Sequence, residues 1–141
     1  MGFFNSSIIS GSGMSVSRQI MDLISENLAN VNTLQTEEGG PYRRKIPVIA
    51  NKQMGTFEQI LGQQMQDVVY VASIARDSSA PRMDYDPTHP LADANGYVKK
   101  PNINVSLEMV NMLDATRAYE ANVAAYNTSK SMASKALQIG A

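Results

Sequence analysis

Apolar residues recur at helical spacing near both ends of the chain, and the stretch between them does not share the pattern. From about Ser6 to Val31, the side chains of Ile9, Val16, Ile20, Leu23, Ile24, Leu28 and Val31 fall on one arc at 3.6 residues per turn, with Arg18, Gln19, Asp22 and Glu26 opposite. The pattern predicts a one-faced helix. Asn5 or Ser6 is placed to cap its start, Asn30 or Asn32 to end it in the left-handed conformation, and no proline interrupts it. Gly11 and Gly13 weaken its first turns. A second helix is predicted from Val105 to about Ile139, with Val105, Met109, Met112, Leu113, Thr116, Tyr119, Val123 and Leu137 on one side. Asn104 is its cap and Gly140 lies just past its end. Both stripes contain polar residues, Asn27 in the first and Glu120 and Asn127 in the second. Polar residues in a packed seam lower stability but fix the register between helices. For any one of them, partial exposure to solvent is the plainer account.

Between the helices, Glu38-Gly39-Gly40-Pro41 signals a turn, and Tyr42 to Ala50, interrupted by Pro47, fits an edge strand. Val68, Tyr70, Ala72 and Ile74 alternate with other residues, which predicts a second strand that Asp77-Ser78-Ser79-Ala80-Pro81 stops. The two are expected to pair as a small hairpin-like sheet. Further turns fall at Asp86-Pro87-Thr88-His89-Pro90 and Asn95-Gly96, while Phe57 to Gln66 fits either a loop or a short helix. The fold class read from these elements is mainly α with a small β insertion. The expected division is 1–33 for the first helix, 34–100 for a short β-hairpin-like middle domain and 101–141 for the last helix, the two helices forming one helical core domain.

Composition narrows the function. At 141 residues and 15.3 kDa the chain has room for one folding unit. A net charge of -1 removes the broad attraction for phosphate backbones or anionic lipid that a basic chain would have, so nucleic acid is not an expected partner. Without cysteine there are no disulfides, thiolate nucleophiles or sulfur-based zinc sites. No apolar run approaches the ~20 residues needed to cross a bilayer. The start, Met1-Gly2-Phe3-Phe4-Asn5-Ser6, has no basic segment before Arg18 and reads as lacking a cleaved secretory signal.

No constellation for catalysis emerges. His89 is the single histidine, and prolines rather than an acid and a nucleophile surround it. Asp84, Asp86 and Asp93 suggest a calcium loop, but Gly96 is misplaced and Asn95 stands where a bidentate glutamate is required. Arg43-Arg44-Lys45 is better read as a solvated strand face or as partners for nearby acids than as a phosphate site, and no glycine-rich phosphate cradle is present. The expectation is a protein that is not an enzyme, with no cofactor, no metal and no small-molecule substrate. With no tryptophan and three phenylalanines, the two helices have little to bury against each other, so neighbouring subunits are expected to supply the missing burial and to order the ends.

Leu23-Ile24-Ser25-Glu26-Asn27-Leu28-Ala29-Asn30-Val31-Asn32-Thr33 resembles the N-terminal signature of flagellar rod and hook axial proteins. Glu38 to Arg44, Asp86 to Val98 and the block Pro101 to Val105, Glu108 to Met112, Arg117 to Asn122 and Lys130 to Met132 resemble the proximal-rod members of that family. The resemblance spans nearly the whole chain and is weakest from Lys52 to Ala80. It implies a structural subunit whose end helices pack as an antiparallel, coiled-coil-like pair within a hollow periplasmic rod, the drive shaft of the flagellar basal body. It also implies export by the flagellar type III apparatus. The implied partners are other rod subunits, copies of itself, the adaptor at the membrane ring and the assembly cap. The residues expected at subunit packing contacts are Val16, Ile20, Leu23, Ile24, Asn27, Leu28, Asn30, Val31 and Asn32 in the first segment, and Met109, Met112, Leu113, Thr116, Tyr119, Val123 and Leu137 in the last. Another axial subunit of the rod or hook, or a cytosolic helical adaptor or chaperone, would share the amphipathic ends.

Overall fold

The computed structural model describes residues 3–54 and 66–139. Residues 57–65, which by sequence fit a loop or a short helix, lie outside the described residues, as does Gly140. The elements run α1 (Phe3–Ala29), β1 (Lys45–Met54), β2 (Gln66–Arg76), β3 (Arg82–Tyr85), β4 (Tyr97–Lys100) and α2 (Val105–Ile139). The protein is mainly helical with a small β insertion.

α1 begins before Asn5 and Ser6, so these residues sit inside its first turns and not at its cap. It ends through a side chain: Asn30 Nδ2 donates to the Glu26 carbonyl at 2.9 Å while its Oδ1 accepts from Thr33 Oγ1 at 3.1 Å. The Glu26 carbonyl accepts the Asn30 backbone N–H as well, at 3.1 Å, so residue 30 closes the last turn with both its main chain and its side chain. α2 starts where Asn104 predicts, since Asn104 Oδ1 accepts from the backbone N–H groups of Ser106 and Leu107 at 3.1 and 3.3 Å.

The two helices are antiparallel. Ser6 meets Ser129, Gly13 faces Asn122, Met21 Sδ accepts from Thr116 Oγ1 and Asn27 donates to Glu108, so partners on α2 run backward as α1 runs forward. β1 and β2 pair antiparallel from Lys45↔Arg76 to Met54↔Gln66, with a register shift between Val48 and Ile49. A two-stranded sheet has only edges, which is why Pro47, opposite Ile74, is tolerated. This hairpin packs along α1, where Val68 is buried.

A second two-stranded sheet, β3 with β4, was not indicated by the alternation of residues, because four residues a side are too few to show a period. The chain between its strands folds on its own side chains. Asp86 Oδ1 accepts from Thr88 N and Oγ1, Asp93 Oδ1 from the N–H groups of Asn95 and Tyr97, and His89 Nδ1 from Leu91 N at 3.1 Å. The rings of Tyr85 and Tyr97 close the pair edge to face at 5.2 Å. The turn before β1 depends on Gly39 and Gly40, whose φ values of 85° and 83° suit glycine alone, and the Gly40 carbonyl accepts from Thr36 N at 3.0 Å. The buried apolar residues are few among those described: Val16, Leu23, Ile24, Val68, Val98, Ile103 and Ala115.

Candidate assembly interface

The most buried large side chains are polar, Asn27 at 1% exposure and Glu108 at 0%. Asn27 lies in the last turns of α1 and Glu108 in the first turn of α2, and the antiparallel pairing brings them together. The Asn27 amide uses all of its hydrogen-bonding capacity. Its Nδ2 donates to the Lys45 carbonyl at 2.9 Å and to Glu108 Oε2 at 3.3 Å, while its Oδ1 accepts from Lys45 N at 2.9 Å and from Tyr42 Oη at 3.2 Å. Arg44 Nε donates to Glu108 Oε1 at 2.6 Å. One amide and one carboxylate thus tie α1, α2 and the chain entering β1 into a single joint, and their low-dielectric setting strengthens each bond. Lys45 adds an ion pair with Glu26. Burial of the Tyr42 phenol, then the Glu26 carboxylate, pushes its pKa above the ordinary value. Two of the three residues in Arg43-Arg44-Lys45 therefore serve as partners for acids, and Arg43 is exposed.

The line of contact between the helices repeats every seven residues. Ser6, Gly13, Ile20 and Asn27 mark it on α1; Ser129, Asn122, Ala115 and Glu108 mark it on α2. Most of these are small or polar. Ser6 and Ser129 share a hydrogen bond of 2.9 Å between their hydroxyls, and a Cβ on Gly13 would stand 2.7 Å from the Asn122 amide, so the helices approach closely there. Ser10 and Ser17 are buried alongside. The polar members of the α2 seam are therefore Glu108, Asn122 and Ser129, whereas Glu120 and Asn127 are exposed, the plainer of the two accounts of polar residues in the stripe.

On α1, Val16, Leu23, Ile24 and Asn27 are buried and Ile20 and Leu28 half-buried. In the turn beyond it, Asn30 and Val31 are half-buried and Asn32 is exposed. On α2, Met112, Thr116, Tyr119 and Val123 are half-buried, while Met109 at 60%, Leu113 at 50% and Leu137 at 76% face solvent. The apolar stripe of α2 thus runs along one flank of the helix pair: Met109 and Leu113 turn away from α1, while Leu137, eight residues past Ser129, lies beyond the described start of α1. Helix phase explains the difference: seven-residue spacing of small and polar side chains sets the face toward α1 and leaves the greasier face outside. The repeat Glu108, Ala115, Asn122, Ser129 was the signal available in the sequence.

Other charged groups have local duties. Arg76 forms a bidentate pair with Glu38, one arm at 2.9 Å, and holds the Glu38 carboxyl below its ordinary pKa. Lys100 does the same for Asp84, hydrogen bonds from Ser79 for Asp77, and those from Thr88 for Asp86. Among the described residues no group of three histidine or acidic side chains is arranged to hold a metal, and no helix is long and apolar enough to cross a membrane.

The family model for the C-terminal part of flagellar basal body rod FlgEFG proteins matches residues 94–139, which hold β4 and α2. Over its whole length the chain is similar to proteins named flagellar basal-body rod protein FlgC. It is 41% identical to that of Borreliella burgdorferi, over 99% of this chain and 98% of the relative. It is 42% identical to that of Bacillus subtilis and 38% identical to that of Salmonella typhimurium, each over 99% of both chains.

Proposed function

The chain belongs to the FlgC family of flagellar basal-body rod proteins, and from that membership and the geometry above we infer a structural subunit of the rod, held to its neighbours by helix packing. It assembles with other basal-body components and belongs to a family not known for catalysis. The observation that carries the packing mechanism is the uncovered apolar surface of α2, where Met109, Val110 and Leu113 face away from α1 and Leu107, Met132 and Leu137 are also exposed in the isolated chain. Apolar surface on this scale marks an interaction site. The neighbours are other rod subunits, copies of this chain and the adaptor at the membrane ring. The flagellar type III apparatus exports the chain without a cleaved signal, and the rod works in the periplasm as a hollow drive shaft. Residues 1–33 and 101–141 form its helical core domain, and 34–100 a middle domain on the side.

In this mechanism torque passes through many packed contacts. Val16, Leu23, Ile24 and Asn27 hold the helix pair from inside, while Met109, Leu113 and Leu137 face adjacent subunits. Leu113→Asp is therefore expected to leave the circular dichroism and melting of the purified chain unchanged at a concentration where the unaltered chain is monomeric, yet to remove the protein from isolated basal bodies and abolish motility. Leu23→Asp, which buries a charge, is expected to lose both fold and incorporation. Normal rods and swimming with Leu113→Asp would overturn this placement.

A further inference from the structure

A groove of about 360 Å³ runs between α1, α2 and the start of β1, walled by Ile20, Leu23, Ile24, Pro47, Ala115 and Ala118. Arg44 and Lys45 also line it, but both are engaged by acids of their own chain. Asp114, on the same wall, has no ion-pair partner among the described residues. On the opposite flank of α2, roughly 150° around the helix from the groove wall at 3.6 residues per turn, exposed Met109 and Leu113 form a ridge with half-buried Met112 and Thr116, the last of which also touches Met21 of α1. Arg117 borders that ridge, exposed and likewise without an ion-pair partner among the described residues.

Ridge and groove cannot meet within one chain, because they stand on opposite sides of one helix. They match each other in character. On the α2 wall Ala115 and Ala118 leave room between Glu108, Asn111 and Asp114, which lets another side chain approach the helix closely there, and Met109 and Met112 give the ridge adaptable side chains. Asp114 in the groove and Arg117 beside the ridge are opposite in sign. We infer that the ridge of one copy seats in the groove of the next, with Arg117 facing the neighbour's Asp114. The inference rests on the reading of the chain as a rod subunit and specifies which surfaces join two copies. Such a contact is heterologous: every added copy leaves one free ridge and one free groove, so the array grows in one direction and does not close as a two-fold dimer.

The chain has no cysteine, so a pair of introduced thiols reports the contact cleanly. Leu113→Cys and Ala118→Cys are placed together in the only copy that the cell makes, basal bodies are isolated, and the thiols are oxidised. A ladder of disulfide-linked copies on a denaturing gel, at least tenfold stronger than with either single variant, is the expected result. An incorporated double variant that gives no ladder overturns the inference and leaves the rod-subunit reading standing. Absence of the unaltered chain from basal bodies would instead overturn that reading. Ala118→Trp, which fills the groove, supplies the second measurement: at least tenfold lower incorporation with unchanged circular dichroism is expected, and normal incorporation overturns the inference even if the double variant fails to assemble.

Discussion

Asn27 and Glu108 show how much a single buried polar pair can hold. Glu108→Ala leaves Arg44 without its partner and removes one acceptor of the Asn27 amide, and breaking a buried ion pair in this way costs about 3 kcal/mol or more. Urea unfolding of the purified chain should register that loss. Asn27→Leu strands Tyr42 and both backbone groups of Lys45, at a cost of at least ~2 kcal/mol. Asn127→Leu, at an exposed position, should change stability by no more than ~0.5 kcal/mol. Asn27 was legible in the sequence as a polar residue within an apolar stripe. Glu108 was not, because its burial depends on Arg44, far away in the chain, and a carboxylate in a first helical turn reads equally well as a solvated charge.

At the scale of elements, the glycines of α1 separate helix propensity from packing. Gly11 has nothing within 4 Å of an added Cβ, so Gly11→Ala should raise stability by ~0.5 to 1 kcal/mol. Gly13→Ala should yield no such gain, because the new methyl must displace the Asn122 amide and break its hydrogen bond to the Ala118 carbonyl. Pairing it with Asn122→Ala should recover the gain in thermal melts. The β1–β2 hairpin was legible from alternation and breakers, and both long helices from apolar spacing. Which partner the apolar stripe of α2 covers was not legible, since the number of apolar residues on a face says only that it is buried somewhere, not against what. The sheets also set an acid response. Glu38, Asp77, Asp84 and Asp86 have lowered pKa values when folded, so their contribution is whole above their ordinary values and fades as pH falls through the lowered ones. The melting temperature should therefore drop as pH falls below about 5, and Asp86→Asn should make that drop shallower.

For the whole molecule, burial is lopsided. Seven buried apolar residues among those described support a chain whose longer helix displays much of its greasy surface outward. Stability of the single chain is correspondingly expected to rise with concentration, since a neighbour that covers α2 would favour the folded form. Dilution of the purified protein across the micromolar range should lower its helical circular dichroism and its melting temperature; a signal independent of concentration would show a self-sufficient fold. The sequence indicated the sparse core through its lack of tryptophan, but where the uncovered surface lies depended on the seam.

The hydroxyl and amide members of the seam also give the contact inside the helix pair a weaker dependence on temperature than a wholly apolar contact between molecules would have. Apolar contacts weaken on cooling, because their formation carries a large negative heat-capacity change, whereas contacts among serines, glycine and asparagine lack most of that term. Chilling should therefore loosen the joints between molecules before it loosens the polar seam inside each one.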